Sequence, residues 1–280
     1  MKKPSRQQSQ LPSITAVIIA KNEEEMIANC IETVRWCDQI MVIDNGSTDE
    51  TALLAENAGA KVISFKSDDF SKTREVALKH VKTDWLFYLD ADERVTPRLY
   101  SEISVHLETG SAQALRLKRD NYCYGFNFSH GGWQNDQVVR IFDREVIIGW
   151  KGKIHESPVF EGVVVDLHTP LVHLTHRSTQ DNLRKSAEWT IKEATLLYEA
   201  GIPPVTFMTL MRKGVMEFVR RAIVNKGYKD GMPGLIEALV QAINRVFVYI
   251  QVWELSQQPN LPERYQRIEQ EIASSWKHAR

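Results

Sequence analysis

The stretch "FYLDADERV", residues 87–95, ends an apolar run in three carboxylates, Asp90, Asp92 and Glu93, with Arg94 beside them. Two carboxylates spaced D-x-D can hold a hard divalent cation, and that cation can bind the oxygens of a diphosphate. The same residues can equally form a solvated acidic turn, the commoner use of so short a motif. Position in the fold decides between the two. The first polar turn of the chain, "AKNEEE" (20–25), carries neither a P-loop nor a G-x-G-x-x-G pattern, which argues against P-loop hydrolysis and dinucleotide binding.

The elements around the pair answer the question of position. "ITAVIIA" (14–20) is a β-branched apolar run that reads as a buried parallel strand. "MIANCIETVRWC" (26–37) has helical apolar spacing, "QIMVIDNGSTD" (39–49) is a strand running into a turn, and "TALLAENAGA" (51–60) is the next helix. A strand at 61–65, a helix at 71–81 and a strand at 84–90 continue the alternation. This predicts a doubly wound α/β sheet, in which ligands bind beyond the carboxyl ends of the strands. Those ends are Lys21-Asn22-Glu23, Asp44-Asn45-Gly46, Phe65-Lys66 and Asp90-Ala91-Asp92, so polar groups converge on one edge. Further strands are predicted at 112–119, 137–144, 163–168 and 171–176, with helices from Ser178 onward.

Bulk properties set the limits. The formal charge of −1 argues against general nucleic-acid binding, and the three scattered cysteines (Cys30, Cys37, Cys123) read as reduced structural thiols. "MKKPSRQQSQ" lacks the apolar core of a signal peptide and reads as a disordered lead-in. No run reaches the ~18 consecutive apolar residues of a membrane span, so membrane contact is expected to be peripheral. The predicted organisation is a lead-in over 1–12, a catalytic domain over 13–180 and a helical extension over 181–280.

"AVIIAKNEE", "VIDNGSTD", "SKTREVAL" and "LFYLDADE", in this order, resemble an inverting family 2 glycosyltransferase of the GT-A fold. "HGGWQNDQVVRIFDR" and "GKIHE" narrow the resemblance to the bacterial lipopolysaccharide core subgroup, over roughly residues 14–180. The resemblance implies a mostly parallel α/β sheet with a C-terminal helical extension, a UDP-sugar donor (glucose for its near relatives), a divalent cation (Mg²⁺ or Mn²⁺) and a glycolipid acceptor. It places Ala20, Asn22 and Glu23 at the nucleotide end of the first strand, and Asp44 and Asn45 against uracil or ribose. Lys72 and Arg74 fall near the nucleotide, and Arg74 is favoured because a guanidinium suits a diphosphate. Asp90 and Asp92 become the metal and ribose pair, with Asp92 the direct metal ligand. Glu156 matches the base that deprotonates the acceptor, Asp136 competes for that role, and His155 can hydrogen-bond the sugar or the carboxylate. Trp133 offers a stacking face and Arg140 a donor fork on the acceptor side. Of two late histidines that can complete a metal site, His173 and His176, the choice falls on His176.

Other readings stay open: transfer to a polyprenyl phosphate, nucleotidyl transfer, and a non-catalytic nucleotide-binding or scaffold protein. At the C-terminus, 207–231 carries apolar and basic residues, while 235–255 is apolar around most of its circumference apart from a stripe of Glu237, Gln241, Asn244 and Arg245. These helices are expected either to pack on protein, as core or dimer interface, or to dock a cytoplasmic chain on the anionic inner face of the membrane.

Overall fold

A β-branched run buried on both faces is what a central parallel strand needs. Ile14–Ala20 forms that strand, β1, with only Ile19 partly exposed. In the computed structural model, which describes residues 12–110, 112–152 and 157–278, β1 lies parallel between β2 (Gln39–Asp44) and β4 (Trp85–Asp90). β3 (Lys61–Ser64) extends the parallel half beside β2. Beyond β4 the sheet changes direction. β8 (Gln137–Asp143) runs antiparallel to β4 and to β6 (Ala114–Cys123), and β6 carries β11 (Val164–Asp166) and β12 (Leu171–Leu174) in parallel. The two-residue strand β5 (Glu93–Arg94) pairs antiparallel with β12, giving the order β3-β2-β1-β4-β8-β6-β12-β5. β9 (Ile147–Lys151) and β10 (Ser157–Phe160) make a separate antiparallel ribbon. The expected mostly parallel α/β sheet is present, with its antiparallel strands gathered beyond β4.

Strand alternation sends successive side chains to opposite faces, and each face meets its own helices. Ala16, Ile18, Phe87 and Leu89 pack with residues of α1 (Ile27–Glu32) and α4 (Pro97–Thr109), and with Ala55 of α2 (Thr51–Asn57). Val17, Met41, Leu86 and Tyr88 pack with Ala77 and Leu78 of α3 (Phe70–His80). α1 stops at Glu32, short of the expected residue 37. Thr33 begins the exit turn, its hydroxyl donating to the Cys30 carbonyl at 2.8 Å. α4 falls in a stretch to which sequence reading had given no element. Its signals are plain in retrospect: Thr96 caps the Leu99 N–H, Pro97 opens the helix, and Gly110 ends it in the left-handed region.

The described residues up to Tyr122, with Asn135–Thr175, form one compact unit; Cys123–Gln134 and the residues from His176 form a second. The second unit therefore begins before the expected boundary at 180 and includes the "HGGWQ" loop. It contains β7 (Phe126–Phe128), α5 (Thr179–Glu199), α6 (Phe207–Val219), α7 (Gly231–Leu255) and α8 (Leu261–His278). α6 opens with a capping box between Thr206 and Thr209 and runs on into a π-helical turn, Arg220–Val224. A methyl group on Gly234 would sit 2.1 Å from the Gly227 carbonyl oxygen, so only glycine lets α7 start against the short 3-10 turn Gly227–Asp230. Gly227–Leu255, 29 residues, is long and apolar enough by length and composition alone to cross a membrane, a test that the core helix of a soluble protein also passes.

Candidate active site

β4 delivers Asp90 at its last residue, and a tight turn follows. The Asp90 N–H donates to the Glu93 Oε2 at 2.9 Å, while Arg94 donates to the carbonyls of Ala91 and Glu93, each at 2.7 Å, and of Met26 at 3.0 Å. The turn is thus held from inside, and Glu93 is fully buried. A buried carboxylate needs cationic donors, and two strands supply them. Arg140 of β8 donates to Glu93 Oε1 at 3.0 Å and also to Asp90 Oδ2; Arg119 of β6 reaches Glu93 Oε1 at 3.3 Å. Arg74, on the buried face of α3, lies 3.5 Å from Asp90 Oδ1 with its guanidinium 4.7 Å from the Trp150 ring centre.

The network continues to the second aspartate. Arg119 forks onto Asp136 at 2.9 and 2.8 Å, and Asn121 donates to Asp136 at 3.0 Å. The other end of the Asn121 amide, Oδ1, lies 2.6 Å from His173 Nδ1, and His173 Nε2 stands 3.5 Å from Asp92 Oδ1. Burial alone would raise the Asp90 pKa, but Arg140 and then Arg74 outweigh it and hold the carboxyl below its usual range. Burial opposes protonation of His173, yet Asp92 lifts its pKa above the ordinary imidazole value. Four carboxylates (Asp90, Asp92, Glu93, Asp136) therefore gather with three guanidiniums and one imidazole, and the imidazole is the one beside Asp92.

The other strand ends are laced together by short-range hydrogen bonds. Asn22, in the left-handed region at φ 54°, accepts the Thr48 N–H through Oδ1 at 2.8 Å; asparagine tolerates this conformation better than most residues. The Ala20 carbonyl accepts the Asn45 N–H, Glu23 donates its N–H to Thr51, Asp44 accepts the Ser47 N–H and Asn45 accepts the Ser67 N–H. Asp44 and Asn45 are both buried. These contacts fix the loops after β1 and β2 on the edge that also carries Asp90 and Asp92.

Residues 15–160 match the glycosyl transferase family 2 model, more than half of the chain. The chain belongs to glycosyl transferase family 2. It is 27% identical over 263 residues to the lipopolysaccharide core biosynthesis glycosyltransferase LpsC of Rhizobium meliloti, covering 89% of this chain and 96% of that one. It is 37% identical to an uncharacterized glycosyltransferase of Rickettsia felis, over 84% and 87% of the two chains. Among solved structures it resembles glucosyl-3-phosphoglycerate synthase of Mycobacterium tuberculosis, determined with Mn²⁺ and UDP-glucose, at a TM-score of 0.46 and 19% identity over 69% and 80% of the chains. The sheet and C-terminal helices of this glycosyltransferase are the GT-A type expected from its motifs.

Placed on the family 2 glycosyltransferase, the sequence-derived residues sort unevenly. Asp90, Asp92, Arg74, Asp136 and Arg140 come together in one network. Arg140, expected to face an acceptor, is instead buried on Asp90 and Glu93. Asp136, the competing base, has both oxygens engaged by Arg119 and Asn121. Lys72 is largely exposed, 4.0 Å from Asp69. Of the two histidines, it is His173 that stands beside Asp92. His176 lies in the second unit with Nδ1 3.0 Å from Glu237 and its ring edge-on to Trp133 at 5.7 Å. His155 and Glu156 lie outside the described residues. Trp133 is half-buried, its indole N–H makes no hydrogen bond, and it lines a polar cavity of about 250 Å³ within the helical unit, with Asn182, Trp189, Gln241, Asn244 and Arg245. Sequence reading missed Arg119 and Asn121 and left Glu93 without a role. The signal available was the charge imbalance of "LDADE", which demands cations from elsewhere in the fold.

Proposed function

We propose that this glycosyltransferase moves glucose, with inversion, from UDP-glucose to a hydroxyl of a glycolipid such as a lipopolysaccharide inner core. The observation that carries this reading is the Asp92–His173 pair, 3.5 Å apart, at one end of the carboxylate cluster. If His173 donates its Nδ1 proton to Asn121, the neutral ring presents a lone pair at Nε2 towards Asp92, the orientation a metal ligand takes when its other nitrogen is held by a hydrogen bond. Among the described residues no three His, Cys, Asp or Glu side chains form a ready ligand set. Asp92 and His173 therefore suit a cation whose remaining positions are filled by the donor diphosphate and water. Such a cation, Mg²⁺ or Mn²⁺, supplies neutralisation of charge on the leaving UDP. Asp90, kept ionised by Arg140 and Arg74, holds the turn and faces the ribose. Asn22, Asp44 and Asn45 shape the nucleoside end.

Glu156 takes the acceptor proton in this reading, on its motif position alone. Asp136 is left to hold Arg119. The likeness to LpsC supports the acceptor class. The helical unit's cavity, with two indoles and several amides, fits the aromatic-plus-polar lining that recognises a sugar ring. The test is a panel of nucleotide sugars with Mn²⁺, Mg²⁺ or chelator, read as UDP release with and without inner-core acceptor. UDP-glucose with a divalent ion is expected to lead the panel, and Glu156→Gln to lose transfer while keeping UDP binding. Metal-independent release, or wild-type turnover by Glu156→Gln, would remove the corresponding assignment.

A further inference from the structure

In a water-soluble helix bundle the polar face of a helix looks out and the apolar face looks in. α7 follows the rule only in part, burying Ala238, Ala242, Val248, Tyr249 and Val252 but exposing a second apolar face. Its polar stripe is turned inward: Glu237 is buried and lies within hydrogen-bonding reach of Gln241 Nε2 (2.8 Å), His176 Nδ1 (3.0 Å) and Asn182 Nδ2 (3.5 Å), and Arg245 donates to Glu193 of α5 at 2.5 Å. Its outer face carries Met232, Ile236, Leu239, Ile243 and Phe247, a helical ridge with Met232 69% and Leu239 52% exposed. No charged side chain interrupts that ridge. α6, packed beside α7, leaves Met208, Met211, Val215 and Val219 exposed, and the π-helical turn after it adds Ile223. Gly214 brings the two helices close, since a methyl group there would lie 2.8 Å from Val246. Two neighbouring helices thus present apolar surface to the outside, while Glu237 and Arg245 of α7 meet His176, Asn182 and Glu193 within.

From this exposed apolar surface we infer that the α6–α7 face of the helical unit docks on an anionic lipid bilayer, lying in its interfacial region. Charge selects lipid over a second copy of the chain. Residues 212–229 hold Arg212, Lys213, Arg220, Arg221, Lys226 and Lys229 against the single acid Glu217. Glu217 is itself bound to Arg220 and Arg221, and Arg212, Lys226 and Lys229 are exposed. A self-complementary dimer would set these cations near their own copies, whereas anionic head groups would neutralise them. An apolar face edged by cations is the arrangement of an interfacial helix pair. The inference does not depend on the donor or acceptor proposed above.

The test is flotation of the full chain with phosphatidylglycerol–phosphatidylethanolamine vesicles, against phosphatidylcholine vesicles as reference. Wild type is expected to float with the anionic vesicles and to be released by salt. Ile236→Glu/Leu239→Glu/Ile243→Glu, altering only exposed positions, is expected to stay at the bottom while melting as wild type does. Lys226→Ser/Lys229→Ser is expected to lose about fivefold in partitioning for each lysine. Wild type that ignores anionic vesicles at low salt overturns the inference. So does a lipid-independent dimer, seen by light scattering, that the triple variant dissociates.

Discussion

Glu93→Gln should be the most damaging near-isosteric change in the catalytic unit. Every group that Glu93 meets is a donor: Arg119 and Arg140 at one oxygen, the Asp90 N–H at the other. Glutamine keeps the volume but offers only one acceptor, so its NH₂ must face either the guanidiniums or the Asp90 N–H. At a fully buried position that leaves donor against donor, costing about 1–3 kcal/mol, with a further 1.5–3 kcal/mol or so from the charge-assisted bonds that weaken. Arg140 keeps Asp90 and Arg119 keeps Asp136, so neither is fully orphaned, and the net loss should be about 3–5 kcal/mol. For a chain of this size that corresponds to a melting-temperature drop of about 6–20 °C. The assay is thermal unfolding followed by tryptophan fluorescence, with Glu93→Asp and Glu93→Met alongside. Glu93→Asp should also fall, being too short to reach both the arginines and the turn. A Glu93→Gln melt within about 2 °C of wild type would show that the turn does not depend on this carboxylate.

Arg74→Lys loses the guanidinium held 4.7 Å over the Trp150 ring; a loss of about 1–2 kcal/mol in stability is expected from urea titration, with weaker donor binding by calorimetry. Gly234→Ala meets a backbone oxygen rather than a yielding side chain, so a loss of at least about 1–3 kcal/mol is expected, read as an earlier melt of the helical unit by circular dichroism. Glu102 accepts the N–H groups of His168 and Thr169 at 2.8 Å each; burial would raise its pKa, but these bonds win and lower it. Its stabilising contribution is therefore full above the unfolded carboxyl pKa and lost as pH falls through the depressed folded value, so Glu102→Gln should flatten the acid limb of a urea-midpoint series between roughly pH 7 and pH 3.

The parallel half of the fold was legible because each strand is a short β-branched run closed by turn residues, and because the ligand edge of such a sheet follows from topology alone. The site was legible to the depth of its motifs. Asp90 and Asp92 could be placed at a strand end without coordinates. What could not be read was which cation each carboxylate would claim. Arg140 and Arg119 lie on strands reached by the antiparallel return of β8, and nothing local marks them as facing inward. His173 and His176 are three residues apart in the same run, and only the sheet shows that His173, opposite Glu93 on β5, stands beside Asp92. α4 is marked only at its ends, by the Thr96-Pro97 start and the Gly110 stop.

The hardest feature to read was the orientation of α7, and the reason is general. Periodicity states which residues share a face, never which face is inward; that is supplied by the rule that apolar surface goes inside. The rule holds when the polar stripe has nothing better than water. In α7 the stripe has better partners, since Glu237 meets three side chains and Arg245 meets Glu193, so turning it inward leaves little unsatisfied. The cost falls on the other face. Five ridge residues on α7, four on α6 and Ile223 of the turn after it stay roughly half exposed, and covering a Leu or Ile fully is worth about 1.5–3 kcal/mol. Covering even part of this surface would return several kcal/mol, a sizeable fraction of a domain's net stability. A face of that size gains stability when it is covered. An anionic bilayer is the cover proposed for it, on the charge of the exposed Arg212, Lys226 and Lys229.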